Sequence, residues 1–117
     1  MSRLIKSFQY AGAGLLHSIR KEKNFQIHSV VAVLVVAAGW FFSLASIEWM
    51  VIVICIGLVL GLELLNTAVE QLCNMVQPGF SPLVKIIKDV SAAAVIVVVL
   101  MAVTCGAIIF VPKILSI

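Results

Sequence analysis

Charge is scarce in this chain. Only five Asp and Glu stand among 117 residues, and charged residues of both signs make up 11%. Soluble domains carry about 25% charged and about 45–50% apolar residues. Here 63% of residues are apolar and the mean hydropathy is +1.24. That balance excludes a soluble globular domain, and a disordered chain would need the opposite one. Cysteine is limited to Cys55, Cys73 and Cys105, with no CxxC pair, which argues against a zinc site or a disulfide framework. The three read as small apolar fillers. No removable signal peptide is evident, because apolar and polar residues interleave over the basic first 23 residues. The eight Lys and Arg give a net charge of +3, yet they sit at the ends of apolar runs, which is not how a nucleic-acid binder carries its charge. The length allows one domain, residues 1–117.

What the chain has in abundance is uncharged sequence. Between Lys23 and Glu48 lie 24 residues without formal charge, and from Val90 to Pro112 another 23. A middle run starts at Glu48-Trp49 and continues to about Val76, with Glu63 and Glu70 inside it. About 20 helical residues cross a hydrocarbon core of about 30 Å. The sequence therefore predicts an all-α integral membrane protein with spans at 28–47, 49–76 and 82–112. Lipid offers no partner to an open backbone, so each span is a helix, and the alternation of a strand barrel is missing. Phe41-Phe42 to Glu48-Trp49 predicts a tight turn with aromatics at the interface. Gln77-Pro78-Gly79-Phe80-Ser81-Pro82 predicts a second break, with Ser81 capping the next helix and Pro82 at its first position.

Residues 3–22 predict an amphipathic surface helix. Leu4, Phe8, Ala11, Leu15 and Ile19 fall on one face, with Arg3, Lys6, His17, Arg20 and Lys21 opposite. Gly12 and Gly14 weaken it slightly. Five of the eight basic residues precede the first span and two, Lys85 and Lys88, follow the second, while the first connection has none. The positive-inside rule then places the N-terminus and the second connection in the cytoplasm.

Carboxylates inside a span need a reason, since each costs about 2.5–3.5 kcal/mol at the bilayer centre on insertion scales. At about 100° per residue, Glu63, Asn66, Glu70 and Asn74 fall on a stripe about 80° wide. Such a stripe faces protein or a wet cavity. Helix-to-helix hydrogen bonding alone would explain the asparagines, but two carboxylates fit it poorly. Lys85 and Asp89 can pair at i, i+4, and Lys88 and Asp89 lie in the first turns of the third helix, just before its apolar run. With Glu22, the predicted cytoplasmic side gathers Glu22, Glu63, Asn66, Glu70, Asn74, Lys88 and Asp89, a set suited to divalent metal and phosphate. His17 and His28 read as interface residues. Neither a GxxxxGK[ST] loop nor a Gly-rich kinase loop is present.

The stretch Glu63-Leu64-Leu65-Asn66-Thr67-Ala68-Val69-Glu70 resembles the E-x-x-N-[ST]-A-[IV]-E signature of the small bacterial membrane lipid kinases, the diacylglycerol kinase and undecaprenol kinase family. Glu22-Lys23-Asn24-Phe25 is similar to that family's E-x-x-F element. Pro82-Leu83 and Lys88-Asp89, followed by Ser91-Ala92-Ala93-Ala94, continue the likeness over nearly the whole chain.

The resemblance implies ATP-dependent phosphorylation of a lipid alcohol. Glu63 would be the general base and Asn66 would orient groups beside it. Glu22 and Glu70 would hold Mg²⁺ with the ATP phosphates. Lys88 would neutralise phosphate charge and Asp89 would order the nucleotide site. It also implies a homotrimer in a bacterial cytoplasmic membrane, with sites between subunits. The segment Glu22 to His28 looks more like the undecaprenol branch than the diacylglycerol branch. At Asn74 many members carry Asp, so a metal or nucleotide role there is open, as it is for Lys85. The competing reading is a non-enzymatic oligomer, channel or holin-like, which does not require Glu22, Lys88 and Asp89 at these places.

Overall fold

Four helices account for nearly all of residues 2–117, the part of the chain that the computed structural model describes. They are α1 (Ser2–Lys21), α2 (Lys23–Phe41), α3 (Ser46–Val76) and α4 (Pro82–Leu115), and the described residues contain no strand. The protein is all-α, with an amphipathic first helix and three helices long and apolar enough to cross a membrane.

Each connection has a local cause. Between α1 and α2 only Glu22 leaves the helical conformation, at φ −101° and ψ 110°. Its N–H still donates to the Ser18 carbonyl and its carbonyl accepts from Gln26, each at 3.0 Å, so the backbone ladder passes through the elbow. Gln26 Nε2 donates to the Ile19 carbonyl at 2.8 Å and satisfies an end group of α1. Ser18 and Phe25 are buried on the two sides of this bend.

The α2–α3 turn is a Schellman-type stop. The Leu44 N–H donates to the Gly39 carbonyl and the Ser43 N–H to the Trp40 carbonyl, while Ser43 takes φ 53° in the left-handed region. This turn occupies residues 42–45, so α2 ends at Phe41 rather than continuing toward 47, and it begins at Lys23, before the expected 28. Leu44 is then buried with Ile52 and Ile109, against Phe42, Trp49 and Phe110. At the same end Glu48 Oε1 accepts from the Ala45 N–H at 2.9 Å and faces Lys113 Nζ at 3.2 Å. That pair ties the start of α3 to the end of α4, which passes Pro112 and stops at Leu115. At the other end Ser81 Oγ accepts from the Val84 N–H at 3.4 Å, with Pro82 at the first helical position, as the sequence predicts.

α3 has 31 residues and α4 has 34. At 1.5 Å per residue they run about 46 and 51 Å, well beyond a hydrocarbon core of about 30 Å. Trp40, Phe42, Trp49 and Phe110 sit together at the α2–α3 turn. The excess length therefore projects at the far end, where the polar stripe of α3 lies. The helices form a flat body of 53 × 42 × 21 Å, with α3 packed between α2 and α4. Few side chains are fully covered in one chain, and the three thiols are free, with Cys55 and Cys73 buried.

Gly39 is buried where the indole of Trp49 crosses α2. A Cβ there would meet Trp49 Cη2 at 2.6 Å. Gly39→Ala is expected to destabilise the fold by about 1–3 kcal/mol, the range for overpacking, read as a lower thermal midpoint in detergent. Gly12→Ala, where nothing lies within 4 Å, is expected to leave the midpoint unchanged or raise it slightly.

Candidate active site

The helical rise sets the depth of each polar group on α3. Measured from Glu48 at 1.5 Å per residue, Glu63 lies about 22 Å along the axis, Asn66 about 27 Å, Glu70 about 33 Å and Asn74 about 39 Å. Against a core of about 30 Å, the first two fall within the far edge of the hydrocarbon and the last two at or past its boundary. Burial follows the same order. Glu63 is 3% exposed and Asn66 6%, whereas Glu70 and Asn74 are exposed. Protein covers the polar groups that lipid would otherwise surround, and leaves open those that water can reach.

Each covered group has a partner from a neighbouring helix. On the α2 side, His28 Nε2 lies 3.4 Å from Glu63 Oε2. On the α4 side, the Ser91 hydroxyl donates to Asn66 Oδ1 at 2.7 Å. The other end of that amide, Asn66 Nδ2, donates to Glu70 Oε1 at 3.0 Å. Asn66 thus joins α3 to α4 and fixes one oxygen of Glu70. One turn on, Lys88 Nζ donates to Asn74 Oδ1 at 2.6 Å, a second polar tie between the same helices. Three ammonium hydrogens are available on a lysine, so this bond leaves Lys88 donors for an anion.

Lys85 and Asp89 pair at 2.6 Å, as the i, i+4 spacing predicts, but their side chains are 63% and 61% exposed. An exposed pair of this kind contributes about 0–1 kcal/mol and opens easily. Glu22 stands at the α1–α2 elbow, half-buried, and does not cap α2. The acids share one end of the molecule without converging. Among the described residues no three His, Cys, Asp or Glu side chains form a group able to hold a metal ion. Glu22, Glu63, Glu70 and Asp89 therefore form no such group within one chain. Glu63 is turned to α2, Asp89 to Lys85, and Glu70 to Asn66.

An apolar cleft of about 200 Å³ runs between α2, α3 and α4. It is lined by Val31, Val35, Ile56, Val59 and Val103, with Phe110 toward the aromatic end and His28 toward the polar stripe. Its polar end thus carries the imidazole that faces Glu63.

His28 and Ser91 are the residues that the sequence reading undervalued. His28 read as an interface residue and Ser91 only as a small one. A signal for His28 existed. It lies 13 residues before Phe41, about 20 Å from the turn, and Glu63 lies about 22 Å beyond it on the antiparallel neighbour. Equal depths on adjacent antiparallel helices bring side chains together. Ser91 gave no comparable signal, because its pairing depends on how α4 is rotated.

The prokaryotic diacylglycerol kinase family model matches residues 9–110. The undecaprenol kinase of Bacillus subtilis is 41% identical over 113 residues, covering 97% of this chain and 92% of that protein. The diacylglycerol kinase of Synechocystis is 37% identical over 114 residues, covering 97% of this chain and 65% of that protein. The diacylglycerol kinase of Escherichia coli is 26% identical over 102 residues, 87% of this chain and 84% of that protein.

Asn74 accepts from Lys88 without carrying charge. Asn74→Asp would turn this exposed hydrogen bond into an ion pair of small net worth. The expected change in initial rate at saturating ATP and lipid alcohol is about threefold, or about 0.7 kcal/mol. A gain of tenfold or more, measured for both variants in one detergent, would mean that Asn74 impairs the native chain.

Proposed function

This chain belongs to the prokaryotic diacylglycerol kinase family and is a lipid kinase, and from that premise we propose that its lipid alcohol is undecaprenol in preference to diacylglycerol. The phosphate donor is ATP with Mg²⁺, and Glu63 is the general base. The observation that carries this reading is a buried carboxylate, Glu63, paired with the imidazole at the polar end of an apolar cleft. A channel or holin-like oligomer needs no such arrangement, and the relatives named above are kinases.

The lipid lies with its chain in the cleft and its hydroxyl at Glu63. The Glu63 carboxylate takes the hydroxyl proton as the hydroxyl oxygen forms its bond to the γ-phosphorus. The bond from that phosphorus to the β–γ bridging oxygen breaks, and its electron pair leaves with ADP. Little covalent work falls to the protein in such a transfer; positioning and charge neutralisation dominate. Asn66 holds Glu70 and, through Ser91, the spacing of α3 and α4. Lys88 neutralises phosphate charge with its free donors, and Asp89, released from its exposed pair with Lys85, orders the nucleotide.

Mg²⁺ is a hard cation that takes one or two carboxylates and completes its shell with water and substrate phosphates. The donor chemistry here suits it: Glu70 spends one oxygen on Asn66, and Glu22 spends none on capping its helix. These two residues would hold the ion, which when bound offsets charge on the phosphates.

The membrane is the bacterial cytoplasmic membrane, with the N-terminus and the α3–α4 turn in the cytoplasm, since seven of the eight Lys and Arg lie on that side. The single membrane domain keeps α1 in the headgroup plane. The assembly is a homotrimer in which a second copy covers the exposed part of the stripe and helps bring Glu22 and Glu70 to one nucleotide.

The test offers undecaprenol and diacylglycerol side by side, with Mg²⁺ and ATP, to the full chain in one detergent. Undecaprenol is expected to be phosphorylated faster. Glu63→Gln is expected to stay folded and bind ATP while losing about 10²–10⁴-fold in rate, the usual cost of removing a general base. A faster reaction with diacylglycerol would reverse the substrate assignment. A Gln variant with near-native turnover would remove Glu63 from the role.

A further inference from the structure

His28 does nothing in the mechanism above, yet its imidazole faces the proposed base across a helix boundary. Its Nε2 lies 3.4 Å from Glu63 Oε2, and the Glu63 side chain is only 4% exposed. Among the described residues no side chain forms a hydrogen bond to the Glu63 carboxylate, and the imidazole is the polar side chain that faces it. A carboxylate at that depth needs a polar group beside it to offset the water it has lost and to fix its orientation. A base in this place therefore needs a donor that does not itself compete for the hydroxyl proton, and the imidazole is the group in position to be one.

We propose that His28 is a positioning residue for Glu63: its imidazole faces Glu63 Oε2 and, once substrate closes the site, donates its Nε2–H there, which fixes the carboxylate and leaves Oε1 to accept the proton of the lipid hydroxyl. The proposal deepens the kinase reading and rests on Glu63 being its base. The imidazole makes and breaks no bond in the transfer. Its place is secured by the backbone, since α2 begins at the Glu22 elbow and ends in the Schellman-type turn, which together set the height of His28 against α3. The remaining side of the imidazole borders the apolar cleft, where Val31, Ala32 and Val35 from its own helix, Val59 and Leu60 from α3, and Val99 and Val103 from α4 offer it no competing polar partner. At 3.4 Å the two groups face each other beyond the reach of a formed N–H···O hydrogen bond, and contacts of this kind tighten when substrate closes the site.

His28→Ala and His28→Gln in the full chain test the proposal, with kcat and the two KM values measured for undecaprenol and ATP. Glutamine keeps an N–H donor on a side chain of similar reach. His28→Ala is expected to lower kcat about 10- to 100-fold, the scale of a mispositioned reacting group, with the KM for ATP unchanged within about twofold. His28→Gln is expected to restore kcat to within about threefold of the native chain. Alanine at native kcat, glutamine no better than alanine, or a loss confined to the KM for lipid would each overturn it. If the alanine variant does not fold, glutamine decides alone: native-like kcat upholds the role and a tenfold loss ends it. Failure of the underlying reading looks different. In that case the native chain phosphorylates neither alcohol, or Glu63→Gln stays active, whatever His28 does.

Discussion

A carboxylate cannot face lipid, and the rest of the molecule is arranged around that constraint at Glu63. The residue lies about 22 Å along α3, inside the hydrocarbon, where an uncovered carboxylate costs several kcal/mol. Two helices cover this stretch of the stripe. α2 brings His28 to the carboxylate and α4 brings Ser91 to the neighbouring amide. Their heights are set at the opposite end of the molecule. There the Schellman-type turn seats Leu44, Trp49 lies on Gly39, and Lys113 meets Glu48. A turn some 20 Å away thus decides whether Glu63 is partnered.

The overlong helices then divide the polar stripe by depth. Glu63 and Asn66 belong to the hydrocarbon edge, and Glu70, Asn74 and Lys88 to the boundary with water. That order suits a reaction between a lipid alcohol and a nucleotide, which arrive from different phases. On the proposed chemistry the apolar cleft delivers the hydroxyl to Glu63, and the exposed acids and lysine receive the phosphates. The thin burial of a single chain is compatible with the proposed trimer, in which a neighbouring copy would cover part of the exposed surface.

What could be read from the sequence was what a single helix or a single turn encodes. The stripe from Glu63 to Asn74 follows from the 3.6-residue period alone. The Ser81-Pro82 cap and the Lys85–Asp89 pair depend on neighbours at most four residues away. The pairings that build the site are of another kind. Asn66 meets Ser91 across 25 residues of chain and Asn74 meets Lys88 across 14, and both depend on how α4 is rotated against α3. The left-handed Ser43 was equally hidden, since that position usually takes glycine. The acids share one side of the membrane, as read from the sequence, but within one chain they point to different partners. Sharing a side fixes height and leaves direction around each helix axis free.

The depth order is the centre of this account, and carboxylate labelling in proteoliposomes tests it most directly. A lipid-soluble carbodiimide and a water-soluble one would be applied to the native chain, with and without Mg·ATP, and the modified glutamates identified by mass spectrometry. The expected result is that the lipid-soluble reagent modifies Glu63 with no protection by Mg·ATP, while the water-soluble reagent modifies Glu70 and Mg·ATP protects it. Equal modification of both by the water-soluble reagent, or protection of Glu63 in place of Glu70, would contradict it.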